Sequence, residues 1–199
     1  MSQDPFPVID VLARELPEAT FEAAGAIDMP TFYIDREHVV DACRMLRDHP
    51  ELQFALLVDV TAADYLPATP RFEMVYILAC LGEAFKTSNG PAAPPRRLRM
   101  KARVPNEDPR VGSVTGIFPS ANWPEREVFD LMGISFDGHP DLRRILTPDE
   151  WTGYPLRKDY PVQIRKDAAS WSPVQLSPEE FAANIRAARE RAAKQAGRE

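Results

Sequence analysis

The chain has 199 residues, 44% of them hydrophobic and 27% charged, which suits one folded domain, alone or with an appendage, and excludes collagen-like, coiled-coil and wholly disordered chains. Its 30 acidic residues outnumber 24 basic ones, and the resulting net charge of -6 with a pI of about 5.2 argues against nucleic acid as a partner. Twenty prolines against nine glycines point to stiff, extended connections rather than floppy ones.

Residues 1–5 lack the basic and apolar regions of a signal peptide, and no apolar run approaches the ~18 residues of a membrane span. Residues 8–16 place Val8, Ile9, Val11, Leu12 and Leu16 at helical spacing, and Pro17 stops that helix. Thr31, Phe32, Tyr33 and Ile34 read as a short strand. Asp35 is placed to cap a helix over residues 36–48, with Val39, Val40, Cys43, Met45 and Leu46 as its apolar stripe and His49-Pro50 as its end. Residues 53–60 are nearly continuous apolar chain, the pattern of a central strand. Residues 71–78 form the next strand, joined to it by a hairpin-length loop. Residues 96–104 alternate strictly, with Leu98, Met100, Ala102 and Val104 on one face and Arg97, Arg99, Lys101 and Arg103 on the other. Residues 1–120 are therefore expected to form an α+β, two-layer domain, with a mixed β-sheet and two N-terminal helices on one face.

The character changes after Pro105. Asn122 is a plausible N-cap, Pro124 fits a first turn, Val128, Leu131 and Met132 make an apolar face, and Gly133 is placed to end the helix. Residues 134–173 show little periodicity and contain Pro140, Pro148, Pro155, Pro161 and Pro173. A structureless stretch of that length more often lies on something else. Ser177-Pro178-Glu179-Glu180 is a capping box, and it opens a thinly apolar tail helix to about residue 196.

Chemistry-bearing residues are densest in Glu125, Arg126, Glu127 and Asp130. Glu125 and Glu127 are about 200° apart around a helix and cannot easily flank one bond. Arg126, four residues before Asp130, can neutralise it. His139 stands alone in a turn, and Arg143-Arg144 and Arg157-Lys158 read as solvated charge or as anchors for an acidic partner. Cys43 and Cys80 have neither C-x-x-C nor Cys/His spacing, so two buried thiols are expected rather than a zinc site or an iron–sulfur cluster. No phosphate-binding or nucleophile motif is present.

Glu125, Arg126, Glu127, Asp130, Leu131, Met132, His139, Arg143, Ile145 and Leu146 fall in one fixed pattern. Residues 155–161, Pro-Leu-Arg-Lys-Asp-Tyr-Pro, make a second block. Together these resemble the 30 kDa subunit of respiratory complex I, the proton-translocating NADH–quinone oxidoreductase. The resemblance implies a non-redox structural subunit of the peripheral arm, on the cytoplasmic face of the membrane and associated with it only indirectly. It implies docking on the 49 kDa-type subunit and support of electron transfer from NADH to quinone, coupled to proton translocation. NAD, FMN, iron–sulfur clusters and quinone belong to the whole complex; no catalytic, cofactor or metal residue is implied here. Interface or fold-locking roles are implied for Glu125, Arg126, Glu127, Asp130, His139, Arg143, Arg144, Leu156, Arg157, Lys158, Asp159 and Tyr160. Residues 121–165 would be the signature helix and an extended partner-docking segment, and residues 166–199 a variable tail. A membrane-bound hydrogenase or another complex I-like oxidoreductase uses a similar subunit and is the alternative.

Overall fold

The computed structural model describes residues 6–85 and 93–161, so the expected tail helix lies outside the described residues. The chain divides into two units, Met1–Tyr160 and Pro161–Glu199, and all the elements described belong to the first.

Helix α1 (Phe6–Glu15) presents Val8, Val11 and Leu12 to the core and stops before Pro17. Strand β1 (Phe21–Ala24) pairs antiparallel with β2 (Thr31–Ile34). The short, half-exposed β1 carries too little alternation to be read from sequence. Helix α2 (Val39–Asp48) follows a single 3-10 turn, Arg36–His38, and buries Val39, Ala42, Cys43 and Leu46. Asp35 makes no capping bond to this helix. Its carboxylate instead accepts from the Thr20 amide at 2.8 Å and lies 3.2 Å from His38 Nδ1. His49 ends the helix in the extended conformation that a following proline favours.

Strands β3 (Leu56–Asp64), β4 (Phe72–Cys80) and β5 (Arg96–Val104) complete a five-stranded sheet in the order β1-β2-β5-β4-β3. The β2–β5 pair is parallel and the others are antiparallel, so the sheet is mixed as expected. The expectation of a central strand at residues 53–60 is corrected. That strand begins at Leu56, runs along the sheet edge and carries a bulge between Leu57 and Asp59. Its apolar run leaves Leu56 and Val58 exposed, and β4 is the strand buried on both faces.

The alternation in β5 is realised as read. Leu98, Met100, Ala102 and Val104 lie opposite Leu78, Tyr76, Met74 and Phe72 in the register, and all eight are buried. On the outer face Arg99 pairs with Asp28, Lys101 with Glu73 and Arg103 with Glu22, so this basic row is largely neutralised within the chain. Tyr33 lies under Arg103, 4.0 Å from ring centre to guanidinium, and donates to Glu73 at 2.8 Å.

Helix α3 (Asn122–Met132) packs against β3 and continues from a 3-10 turn, Pro119–Ala121. Asn122 is therefore helical itself and makes no cap, contrary to the expectation. A two-stranded parallel sheet of β6 (Arg110–Gly112) and β7 (Ser135–Asp137) brackets α3; three-residue strands leave no periodic signature. Gly133 ends α3 in the left-handed region at φ 70°, donating to Phe129 O. A Cβ there would lie 2.5 Å from the ring of Tyr154. Gly133→Ala therefore combines backbone strain with overlap and should cost at least about 2 kcal/mol and several degrees of Tm. Tyr154→Ala in the same chain should recover part of that loss, measured by calorimetry as a double-mutant cycle.

Candidate functional site

Residues 139–160 form a strap in which no side chain is buried, yet the segment is folded onto α3 and the sheet. What holds it is polar. Asp130, on the inner side of α3, accepts from the amides of Ile145 at 3.0 Å, Leu146 at 2.7 Å and Thr147 at 2.8 Å. The Thr147 hydroxyl also donates to it, and Arg144 donates at 2.7 Å. Burial opposes ionisation of Asp130, but the Thr147 hydroxyl, the Thr147 and Leu146 amides and Arg144 outweigh it and hold the carboxyl well below the usual range. The partner that neutralises Asp130 is thus Arg144, not Arg126 as expected. The Arg126 guanidinium donates to Arg143 O and Arg144 O, each at 3.1 Å, and ties the same turn from its other side.

The second half of the strap is fixed by the Pro-Leu-Arg-Lys-Asp-Tyr-Pro block. Arg157 donates to Met132 O at 2.6 Å and Gly133 O at 3.3 Å, supplying partners for carbonyls at the end of α3. Tyr154 lies against both Arg157 and Arg144, 4.5 and 5.6 Å from their guanidinium carbons, and Arg157 also stands over Phe72. Asp159 takes two bonds from Arg71, at 2.6 and 3.0 Å, and Arg71 takes Asp64 in the same two-pronged way, at 2.8 and 3.0 Å. The Lys158 amide adds a bond to Asp64 at 2.8 Å. The Arg71 guanidinium holds the Asp64 carboxyl well below its ordinary range, assisted by the Lys158 and Leu66 amides. Tyr160 packs where a Cβ on Gly153 would come within 2.9 Å of its ring.

Glu125 and Glu127 part company, as the helix geometry requires. Glu125 is fully buried, accepting from Ser113 Oγ at 2.7 Å and from the Val114 amide at 2.8 Å, while Glu127 is exposed. Glu127 and Asp130 likewise occupy different environments. The Asp141 amide donates to His139 Nδ1, which assigns the ring hydrogen to Nε2 and its donation to Asn122 O. Among the described residues the Arg143 side chain reaches only Asp141, and it is 71% exposed; Leu146, Trp151 and Leu156 also face solvent. Cys43 and Cys80 stand on different elements, both buried. Among the described residues no group of three His, Cys, Asp or Glu side chains is placed to hold a metal, and no helix is long and apolar enough to cross a membrane.

Of the residues expected from sequence, the structure brings Asp130, Arg126, Arg143 and Arg144 to one junction and Arg157, Lys158 and Asp159 to another. Sequence reasoning does not single out Asp64, Arg71, Thr147, Tyr154 or Ser113. Asp64 and Arg71 flank the β3–β4 hairpin, and that position is the signal by which their pairing could be found.

The respiratory-chain NADH dehydrogenase 30 kDa subunit family model matches residues 32–166. A relative in Geobacter sulfurreducens, the C subunit of its NADH-quinone oxidoreductase, is 49% identical over 134 residues, covering 67% of this chain and 75% of the relative. The same-named protein of a Roseiflexus species is 41% identical over 172 residues, covering 86% and 92%. Among solved structures, a trypsin-resistant fragment of Nqo5 superposes with a TM-score of 0.50 at 31% identity, covering 69% of this chain and 98% of the fragment.

The Asp130 junction fixes the expected response to mutation and acid. Asp130→Asn sets an amide against donors that require an acceptor and should cost about 3–5 kcal/mol in guanidinium unfolding, with faster proteolysis in residues 139–160. Because its folded carboxyl is held low, the stability that Asp130 contributes is complete above the unfolded range near pH ~4 and is lost as the pH falls below it. The acid limb of the stability profile should be shallower in the variant.

Proposed function

The chain belongs to the 30 kDa subunit family of respiratory-chain NADH dehydrogenases, and we propose that it serves as a non-redox structural subunit in the peripheral arm of an NADH–quinone oxidoreductase, complex I. The family match carries this reading, because it spans most of the sheet, α3 and the strap as one unit.

Within that complex the chain docks on the 49 kDa-type subunit at the cytoplasmic face of the membrane, which it meets only through its partners. NAD, FMN, iron–sulfur clusters and quinone are held by other subunits. Its part in electron transfer to quinone, and in the coupled proton translocation, is indirect: it keeps redox subunits in register. Support comes from how the charges of the fixed pattern are used. Asp130, Arg144, Arg157 and Asp159 lock the strap inward, leaving Arg143, Leu146, Trp151 and Leu156 outward. An outward apolar set rimmed by charge is the composition of a protein contact.

The test separates docking from folding. The Arg143 side chain has a single, exposed partner among the described residues, so Arg143→Ala should leave the chain's Tm nearly unchanged, and yet reduce recovery of assembled complex from membranes in mild detergent. NADH:quinone turnover per assembled complex should be preserved. Arg144→Ala should instead lower the Tm itself by freeing Asp130. Normal assembly with slow turnover in Arg143→Ala would overturn the structural reading, and recovery of the wild-type chain without NADH-binding subunits would overturn the complex I assignment.

A further inference from the structure

Glu125 is a buried carboxyl of α3 with no cation paired to it among the described residues, and its side chain is wholly enclosed. Two donors reach it, Ser113 Oγ and the Val114 amide, both from the loop that follows β6. The titratable groups facing it are the Cys43 thiol from α2 and the Tyr76 hydroxyl from β4, which are themselves buried and pushed up by burial, with Glu125 adding to both shifts. Tyr76 Oη has no hydrogen-bond partner among the described residues. An enclosed carboxylate with two donors and no countercharge is an unfavourable species, and such groups relieve the cost by taking a proton. Two hydroxyls lead away from the carboxyl. Ser113 Oγ, 2.7 Å from Glu125 Oε2, is also 2.8 Å from Thr115 Oγ1, and both hydroxyl residues are only half-buried.

We propose that Glu125 is a buried proton-binding site, in exchange with solvent through the hydroxyls of Ser113 and Thr115, which makes the junction of α3 with the 113–115 loop sensitive to pH. The neutral carboxyl donates from Oε2 to Ser113 Oγ, and Ser113 passes its own hydrogen to Thr115 Oγ1. On deprotonation the proton moves along this chain to water, and the carboxylate accepts from Ser113 instead. Burial pushes the carboxyl up to about 7, against the bonds from Ser113 and Val114. The folded chain thus holds a proton that the unfolded chain, with an ordinary carboxyl near 4.5, has already released, so stability falls as the pH rises between those values. This inference is independent of the assembly reading.

Infrared titration of the full chain tests it. With 13C-labelled glutamate, a protonated-carboxyl band should persist at about pH 5.5, well above the titration of ordinary glutamates. It should bleach with a midpoint near 7 and be missing from Glu125→Gln. Ser113→Ala, which removes a donor to the carboxylate, should move the midpoint upward. Between the unfolded and folded values the folded-to-unfolded ratio of the wild type should fall by a factor on the order of 80 through this group, and that of Glu125→Gln should fall far less. The proposal is overturned if the labelled band titrates with the ordinary glutamates, or if it persists unchanged to about pH 9, where an exchanging site would be empty. Should Glu125→Gln fail to fold, the labelled wild type and Ser113→Ala decide the question.

Discussion

Asp130 accepts three consecutive backbone amides, one hydroxyl and one guanidinium on two oxygen atoms, and the strap depends on that convergence. Residues 139–160 contribute no buried side chain, so the hydrophobic effect supplies little of what orders them. A carboxylate at full occupancy orders them instead, because the alternative is a desolvated charge with open acceptors. The same condition binds Asp130 to its partners in both directions. The amides of residues 145–147 have their acceptor in it, and Arg144 has its carboxylate there.

This arrangement is possible because the sheet has already used its apolar residues elsewhere. The core face of β4 and β5 is filled by Phe72, Met74, Tyr76, Leu78, Leu98, Met100 and Ala102, in one cluster with the apolar sides of α1 and α2. Of the sheet's strands α3 packs mainly on β3, at the edge, and Val128 and Met132 bury their side chains. The end of α3 is consequently met by groups that satisfy backbone rather than fill space: Arg157 on the terminal carbonyls, the Leu156 amide on Leu131 O, and Tyr154 laid over Gly133. Arg71 joins this end of the molecule to the hairpin. Its guanidinium carries two carboxylates at once, one from β3 and one from the strap, and each is a two-pronged contact that fixes orientation as well as distance.

What can be read from sequence follows the same division. Strands β2 and β5 and the helices announce themselves, since period-two and period-3.6 patterns record burial on one face. The β3 run is legible as a strand but not as an edge, because its apolar residues are as dense as those of a covered strand while Leu56 and Val58 face outward. The strap is legible only as chemistry. The fixed pattern from Glu125 to Leu146 identifies residues that matter, but spacing along a helix suggests Arg126 as the partner of Asp130, and the chain returns Arg144 from a later turn of the strap. No local rule predicts such a closure, because it is set by where the loop after Gly133 turns back. Glu125 is the sharper case: as one of three charges in a row it reads as surface, and only the position of α3 against the Ser113 loop reveals it as core.

The strap inverts the usual distribution of side chains, and that inversion bears on the proposed docking. Its locking charges point inward to the chain's own backbone and carboxylates, while Leu146, Trp151 and Leu156 are exposed. A segment of this composition left loose would have to be ordered at the moment of association, at a cost of roughly 1–2 kcal/mol for each residue fixed. Here the polar contacts meet that cost during folding of the subunit, so a partner would meet apolar groups already in position and could commit its contact energy to affinity. Prolines 140, 148 and 155 act in the same direction by narrowing the unfolded ensemble of the strap. The inward locks and the outward apolar groups are thus two parts of one device: the first set makes the second rigid. If the strap is the proposed docking surface, a change to either would weaken association, but only a change to the first would also be felt by the subunit alone.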